Sequence, residues 1–155
     1  MVNLVNIFVA AGAVLASGVS ALGKARVHNK CNFSVTAWSV GSKISGPFEI
    51  HSGKTFEEGY VQDHVTGGKA IKITQAVDGL NRGDPQTIFA YSLSGDTIFY
   101  DLSDAFGDAF TGNRLKVSGN SNACGRIVWL DGTPPAGSQV KSCTSTADVT
   151  LTLCA

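Results

Sequence analysis

Residues 87–102, TIFAYSLSGDTIFYDL, contain the clearest structural signal in this chain of 155 residues. Two runs rich in β-branched and aromatic residues flank the turn-forming sequence Ser94-Gly95-Asp96, a pattern typical of a β-hairpin. With the turn centred there, residues whose numbers sum to about 190–192 stand opposite one another. The sequence therefore predicts a hairpin in which Tyr91 faces roughly Phe99 to Asp101.

Short runs of alternating apolar and polar residues continue on both sides of this hairpin, whereas no sustained helical spacing occurs after residue 21. Turn residues such as Ser52-Gly53 and Gly67-Gly68 separate the runs, as the connections of a sandwich require. We therefore expect an all-β antiparallel sandwich. One short helix is predicted, at Ser103–Phe110. The other predicted strands are Ala25–Asn29, Val35–Val40, Phe48–Ile50, Thr55–Tyr60, Ala70–Gln75, Leu115–Ser118, Arg126–Leu130 and Val149–Cys154.

The first 21 residues are predicted to be a secretory signal peptide. They contain no charged side chain, and their apolar centre, Ile7–Leu15, is too short to span a bilayer as a helix. Small residues at Val19 and Ala21 predict cleavage after Ala21, with cleavage after Gly23 as the alternative. No basic stop-transfer segment follows, so we expect no membrane span after signal removal, and one secreted domain over residues 22–155.

The charges of the chain balance, because 12 basic and 12 acidic residues give a net charge of zero with neutral histidine. No general attraction to nucleic acid is therefore expected. The length suits a single domain with one hydrophobic core, which we expect to be a monomer.

Four cysteines follow the signal segment, at positions 31, 124, 143 and 154. An even number entering an oxidising compartment predicts two disulfides, with three pairings possible. Their spacing lacks the C-x-x-C pattern of zinc sites. The sequon Asn32-Phe33-Ser34 makes Asn32 a candidate glycosylation site, although the adjacent disulfide can leave it unoccupied.

Three groups of residues resemble known secreted proteins. Residues 27–39, VHNKCNFSVTAWS, resemble the opening of thaumatin-like proteins, and residues 86–93 with 99–107 resemble the central hairpin and following loop of that superfamily. The ending, ADVTLTLC at 147–154, together with GGKAIKI at 67–73, is closer to the short fungal Bys1 family. The chain is identified as a member of that family, which implies a thaumatin-like β-sandwich.

The resemblance also implies site residues. The family pattern pairs Cys31 with Cys154 and leaves Cys124 with Cys143. Larger thaumatin-like proteins have an acidic cleft thought to hold β-glucan. In this chain, Tyr91 and Ile98 stand where two cleft acids would be, and Asp101 alone remains.

Asp101 and Tyr91 are therefore the candidate ligand-binding residues, with two readings left open. If both point outward, they offer a sugar an aromatic platform and a hydrogen-bond acceptor. In the alternative, Tyr91 packs inward and Asp101 caps the turn at Ser103 and Asp104. Alternation along the strands sends some aromatics into the core and leaves others facing out, among Trp38, Phe89, Tyr91, Phe99, Tyr100 and Trp129.

Glycosidic hydrolysis usually needs two carboxyl groups, so Asp101 alone cannot carry it. Glu57, Glu58 or Asp63 would have to face it across the sandwich, whereas exposed carboxylates are usually only solvated surface. No G-x-S-x-G motif supports a nucleophilic triad. We therefore expect no catalytic residues.

Metal and cofactor sites are not expected either. A copper site at a mature N-terminal histidine would need cleavage before His28, which the predicted cleavage site excludes. His51 and His64 are interpreted as ordinary histidines. The residues Asp101, Asp104 and Asp108 lack the spacing of a calcium loop.

The sequence therefore favours a secreted, non-enzymatic, thaumatin-like protein of the fungal cell wall or host surface that binds carbohydrate weakly. A weak endo-β-1,3-glucanase-like hydrolase and an effector that binds a host or competitor protein are the alternatives.

Overall fold

The computed structural model describes residues 21–155, so the predicted signal peptide lies outside the described residues except for Ala21. Among residues 21–155, no helical segment has the length and hydrophobicity that a membrane span requires. The elements are β1 (Lys24–Asn29), β2 (Val35–Val40), β3 (Ile44–Ile50), β4 (Thr55–Gly59), β5 (Lys69–Thr74), α1 (Gly79–Arg82), β6 (Gln86–Ser94), β7 (Thr97–Ala105), β8 (Leu115–Gly119), β9 (Ile127–Trp129), β10 (Lys141–Thr144) and β11 (Val149–Leu153).

The strands form two sheets that enclose one core. The five-stranded sheet has the order β4-β1-β11-β8-β9, and the six-stranded sheet has the order β10-β7-β6-β5-β2-β3. This confirms the predicted all-β sandwich. Among the described strands, one pair is parallel rather than antiparallel: β1 lies beside β11, with Val27 next to Leu151. Strand direction depends on the partner, so alternation within a single strand does not reveal it.

The predicted hairpin is β6–β7. Tyr91 lies opposite Tyr100, and Ala90 lies opposite Asp101, which confirms the predicted register around the turn at residues 94–96. Gly95 has a φ of 55°, the left-handed conformation that this turn needs. Strands β6 and β7 are the central scaffold on which the candidate site is built.

The core consists of alternate residues from both sheets. Phe89 and Leu102 contribute from the six-stranded sheet, and Val27 and Leu151 contribute from the five-stranded sheet, all at most 1% exposed. Burial of each such large side chain stabilises the fold by roughly 1.5–3 kcal/mol. Residues between them, such as Ala90, lie on the outer face of the sheet because side chains alternate along a strand.

Two disulfides join distant parts of the described chain. Cys31 is bonded to Cys154, with Cα atoms 5.0 Å apart, and Cys124 is bonded to Cys143, with Cα atoms 4.7 Å apart. These are the pairs that the family resemblance implies. The first bond ties the turn after β1 to the end of β11, and therefore locks the parallel pair.

The helix predicted at Ser103–Phe110 is wrong. Residues 103–105 extend β7, and the strand ends where Phe106 and Gly107 adopt positive φ angles of 60° and 112°. The long pairing with β6 continues through Ala105, so sheet hydrogen bonds override the local helix signal. Helix α1 instead occupies Gly79–Arg82 and ends at Gly83, which has a φ of 68°.

Two strands differ most from the predicted set. Strand β10 was not predicted, because KSCT carries no apolar alternation; it forms by pairing along the edge of β7. Strand β3 begins at Ile44 rather than Phe48, although the added segment contains Gly46 and Pro47. The register between β2 and β3 shifts at residues 37–39, which lets an edge strand accommodate these residues.

Candidate functional site

A shallow trough of about 620 Å³ lies on the outer face of the six-stranded sheet. Its floor follows from the strand register, which places Val40 beside Ala70, Ala70 beside Ala90, and Ala90 beside Asp101. Paired residues project from the same face, so these four side chains form one row across the sheet. The two alanines make the middle of the row low, and larger side chains rise at both ends.

The two ends of the trough are apolar. At one end, Phe99 and Val140 are 44% and 54% exposed. Val40 and Gly41 lie at the other end. Between these ends the trough crosses β2, β5, β6 and β7 and reaches the start of β10, a distance of about 19 Å at usual strand spacing. The trough is therefore long enough for an extended ligand lying across the strands.

One side wall is the loop at residues 63–68, which Asp63 holds in place. Its carboxylate accepts hydrogen bonds from the backbone N–H groups of Ser42 at 2.7 Å, Val65 at 3.0 Å and Thr66 at 3.1 Å. These donors, led by Ser42, hold the pKa of the Asp63 carboxyl well below its usual range. Asp63 is thus a structural residue that links this loop to the turn after β2.

The loop also contacts the sheet directly. The Ser92 hydroxyl donates to the Gly67 carbonyl at 2.7 Å. A Cβ atom at Gly68 would lie only 2.5 Å from the Tyr91 carbonyl oxygen, so this close approach of two backbones requires glycine. The wall is therefore packed onto β6.

Asp101 is half-buried in the trough and makes no side-chain hydrogen bond or ion pair within residues 21–155. Burial raises the pKa of its carboxyl above the usual value. No cap at Ser103 or Asp104 forms, because β7 continues past Asp101 to Ala105. The carboxylate is available to a ligand that donates hydrogen bonds.

Of the two readings for Tyr91, the structure shows the inward one. Its side chain is 3% exposed, and its hydroxyl donates to the Glu58 carboxylate at 2.7 Å. Lys69 donates to the same carboxylate at 3.3 Å. Burial, and then the hydrogen bond to Glu58, raise the pKa of the Tyr91 hydroxyl. Tyr91 and Asp101 lie on opposite faces, because Ala90 stands opposite Asp101.

Phe99 is the aromatic side chain that faces the trough. Of the six aromatic residues singled out in the sequence, the core holds four: Phe89, Tyr91, Tyr100 and Trp129. Trp38 is also buried, at 3% exposure, outside that core. The hairpin register already pairs Phe99 with Ser92 on the face that Asp101 shares, so knowing that Tyr91 is buried would have been enough to find Phe99.

No second carboxylate joins Asp101 in the described lining of the trough. Glu57 forms ion pairs with Lys24 and Arg26 on the other sheet. Glu58 and Asp63 are engaged as described above. A reaction that needs a carboxyl acid and a second carboxyl base or nucleophile has no geometry here.

Within residues 21–155, no three histidine, cysteine, aspartate or glutamate side chains are grouped so as to hold a metal ion. His28 contacts the Thr55 hydroxyl at 2.8 Å, and His51 contacts the Ser34 hydroxyl at 2.9 Å. Asp104 lies on the opposite face of β7 from Asp101 and accepts a hydrogen bond from the Thr87 hydroxyl at 2.8 Å. Strand alternation therefore separates Asp101 from the other two aspartates of the calcium hypothesis, Asp104 and Asp108, which lie close to each other.

Two curated relatives match most of this chain. The chain is 27% identical over 144 residues to an antigenic thaumatin-like protein of Arthroderma benhamiae, a match that covers 86% of this chain and 72% of the relative. It is 24% identical over 144 residues to the secreted thaumatin-like protein calA of Emericella nidulans, covering 84% and 81%.

Two solved structures share the fold. The protein elicitor MoHrip2 from Magnaporthe oryzae superposes with a TM-score of 0.70 at 24% identity, covering 86% of this chain and 99% of that protein. The thaumatin-like xylanase inhibitor TLXI superposes with a TM-score of 0.57 at 14% identity, covering 84% and 99%. The family model of Bys1, described as Blastomyces yeast-phase-specific protein, matches residues 12–155. With its two-sheet sandwich and a family match over nearly its whole length, the chain belongs to the Bys1 family of thaumatin-like proteins.

Proposed function

We propose that this protein is a secreted, non-enzymatic carbohydrate-binding protein of the fungal cell wall or host surface, and that the trough is its binding site. The observation that carries the proposal is the pairing of Phe99, 44% exposed, with the unpartnered carboxylate of Asp101 above a floor of alanines. The C–H face of a sugar ring packs on an aromatic ring, and its hydroxyls donate hydrogen bonds to a carboxylate.

The shape of the trough supports a polysaccharide chain as the ligand. It is open and about 19 Å long at usual strand spacing, and it runs across the strands from Val40 to Val140. Ala70 and Ala90 leave room for rings to lie flat on the sheet. An extended chain would therefore contact both apolar ends at once, whereas a single sugar would contact one.

Binding without hydrolysis follows from the lone carboxylate. Asp101 is the single acidic side chain in the described lining of the trough. The nearby Glu58 carboxylate accepts hydrogen bonds from Tyr91 and Lys69. Hydrolysis of a glycosidic bond usually requires two carboxyl groups about 5–9.5 Å apart. The trough thus has the features of a binding surface.

Secretion is supported by the names of the curated relatives, one called secreted and one called antigenic. Two disulfides also suit an oxidising compartment. Asn32 is exposed in the turn after β1, so a secreted form would present its sequon to glycosylation. Occupancy of Asn32 stays a prediction, which intact mass before and after deglycosylation tests.

The test is retention of the purified protein on insoluble β-1,3-glucan, on chitin and on deacetylated chitin, with released reducing sugar measured in parallel. We expect retention without release. Phe99→Ala should weaken retention about tenfold or more, because it removes the apolar contact of one aromatic ring. Phe106→Ala is the matched control, since Phe106 is 71% exposed and lies beyond the end of β7.

Three outcomes contradict the proposal. Failure of the wild-type protein to bind any of the three polymers would overturn carbohydrate binding. If Phe99→Ala and Phe106→Ala weaken retention equally, the trough is not the binding site. Release of reducing sugar that Asp101→Asn abolishes would show an enzyme.

A further inference from the structure

We propose that the trough selects a positively charged amino sugar, so that its preferred ligand is a glucosamine-containing chain such as partly deacetylated chitin. This inference rests on the proposed carbohydrate-binding function and specifies its substrate class. It arises from the charges of the trough, which are not balanced. The ligand that restores the balance carries a cation on a sugar ring.

The charged side chains in the described lining are Asp101 and Lys69. The Lys69 ammonium lies 3.3 Å from the Glu58 carboxylate, and their side chains are only 18% and 16% exposed. This inner pair compensates itself, with Tyr91 as a further donor to Glu58. The trough therefore presents one uncompensated negative charge, at Asp101.

The residues directly beside Asp101 in the sheet carry no positive charge that pairs with it. Ala90 stands opposite on β6, and Phe99 and Ser103 flank it on the same face of β7. On the β10 side, Val140 lines the trough, while Lys141 pairs with Tyr100 and so lies on the inner face. A carboxylate desolvated among such groups gains most from a donor that brings its own positive charge.

An amino sugar fits this arrangement better than a neutral one. Its ring offers the same apolar face to Phe99, and its ammonium replaces a hydroxyl that would give a weaker, neutral hydrogen bond. Attraction between the net charges of the protein and the ligand cannot explain a preference for the amino sugar. The sequence pI is about 6.8, so below that pH the protein and a cationic polymer both carry positive charge.

The experiment compares two oligosaccharides of equal length that differ only in N-acetylation: glucosamine and N-acetylglucosamine oligomers. A β-1,3-glucan oligomer of the same length is the third ligand. Binding is measured by titration calorimetry at about pH 6, where sugar amines are protonated and ordinary carboxyls ionised. We expect the wild-type protein to bind the glucosamine oligomer about tenfold more tightly than its acetylated counterpart, as one charged hydrogen bond provides.

Asp101→Asn should abolish that preference while leaving the weaker binding of the neutral oligomers in place. Asp96→Asn removes the same charge from the exposed tip of the same hairpin and should keep the preference. Phe99→Ala should weaken the binding of all three ligands. An unchanged thermal midpoint shows that each variant is folded, which is expected for Asp101→Asn because Asp101 makes no side-chain bond within the described chain.

The outcomes separate this inference from the proposed function. Equal binding of the charged and acetylated oligomers, or a preference that survives in Asp101→Asn, would overturn amino-sugar selection and leave carbohydrate binding standing. Absence of binding to all three ligands would overturn both.

Discussion

At the scale of single residues, the two tyrosines of the central hairpin are fixed by polar partners at the edge of the core. Tyr91 donates to Glu58, and Tyr100 donates to the Gly125 carbonyl at 2.5 Å. Both hydroxyls are thus satisfied although both side chains are at most 3% exposed. The hydrogen bond of the Tyr91 hydroxyl is the stronger of the two, because its acceptor is a charged carboxylate.

Tyr91→Phe is therefore expected to lower the free energy of unfolding by about 1.5–3 kcal/mol, the usual contribution of a hydrogen bond to a charged group. Urea denaturation measures this loss. Binding to polysaccharide should stay at the wild-type level, because the hydroxyl lies on the core side of the sheet. A weakened affinity with unchanged stability would contradict the inward role of Tyr91.

Asp104 predicts a dependence of stability on pH. Burial, and secondarily the hydrogen bond and charge of Asp108, raise the pKa of its carboxyl to about 7. In the unfolded chain an aspartate releases its proton near pH 4. Between these values the folded protein holds the extra proton, so its stability falls as pH rises from about 4 to about 7.

Asp104→Asn should remove this decline and raise the thermal midpoint at neutral pH. Asparagine keeps an oxygen for the Thr87 hydroxyl and supplies donors toward Asp108. The loss of stability that the substitution removes is at most about 1.4 kcal/mol per pH unit, and it is smaller in practice because the side chain is only partly buried. The measurement is the thermal midpoint of each protein between about pH 4 and pH 7, with Asp96→Asn as the control. If the midpoints of wild type and Asp104→Asn change with pH in parallel, the prediction is wrong.

At the scale of elements, the wall of the trough depends on the loop at residues 63–68. This loop has no strand partner of its own, and Asp63 connects it to Ser42. The wall should therefore open independently of the sheets when Asp63 is changed.

Asp63→Ala removes the acceptor for three backbone N–H groups. Hydrogen exchange should speed up at the amides of Ser42, Val65 and Thr66, while amides in β6 and β7 keep their protection. Binding should weaken as well, because the wall loses its fixed position. Faster exchange throughout the hairpin would instead mean that Asp63 supports the whole fold.

At the scale of the whole molecule, the two disulfides close loops of very different length. Cys31 and Cys154 are 123 residues apart, whereas Cys124 and Cys143 are 19 apart. Because a cross-link restricts the unfolded chain more when it closes a longer loop, the first bond should stabilise more, by about 5 kcal/mol against about 3 kcal/mol.

Paired serine variants test this order. Cys31→Ser with Cys154→Ser should lower the urea midpoint further than Cys124→Ser with Cys143→Ser. The m-value should rise in both, since the unfolded chain becomes more expanded. A larger loss from the short loop would mean that local contacts around residues 124–143 outweigh chain entropy.

The residues at the start of the predicted mature chain are bonded into the fold. Gly23 is buried, donates its N–H to the Ser145 carbonyl at 2.8 Å and accepts from the Tyr60 N–H at 3.2 Å. Cleavage after Ala21 keeps these bonds, so we predict that secreted material begins at Leu22, with Lys24 as the alternative. N-terminal sequencing decides between them. A start at His28 would remove most of β1 and contradict the prediction.

The local pattern of the chain was sufficient for most of the strands, for the hairpin and for the hairpin register to within about one residue. Alternation and turn residues act between neighbours in sequence, so TIFAYSLSGDTIFYDL specifies its own register. The family resemblance added the disulfide pairs. The same local signal failed at residues 103–110, where pairing with β6 extends the strand.

Tertiary packing decides which of the two alternating sets of side chains on a strand faces the core. A period of two separates Tyr91 from Ala90 but does not say which of them faces the core, because that depends on the sheet packed against it. The partner of Tyr91, Glu58, lies 33 residues away on the other sheet. The trough likewise combines Val40, Ala70 and Asp101, whose neighbourhood exists only after three strand pairings have formed.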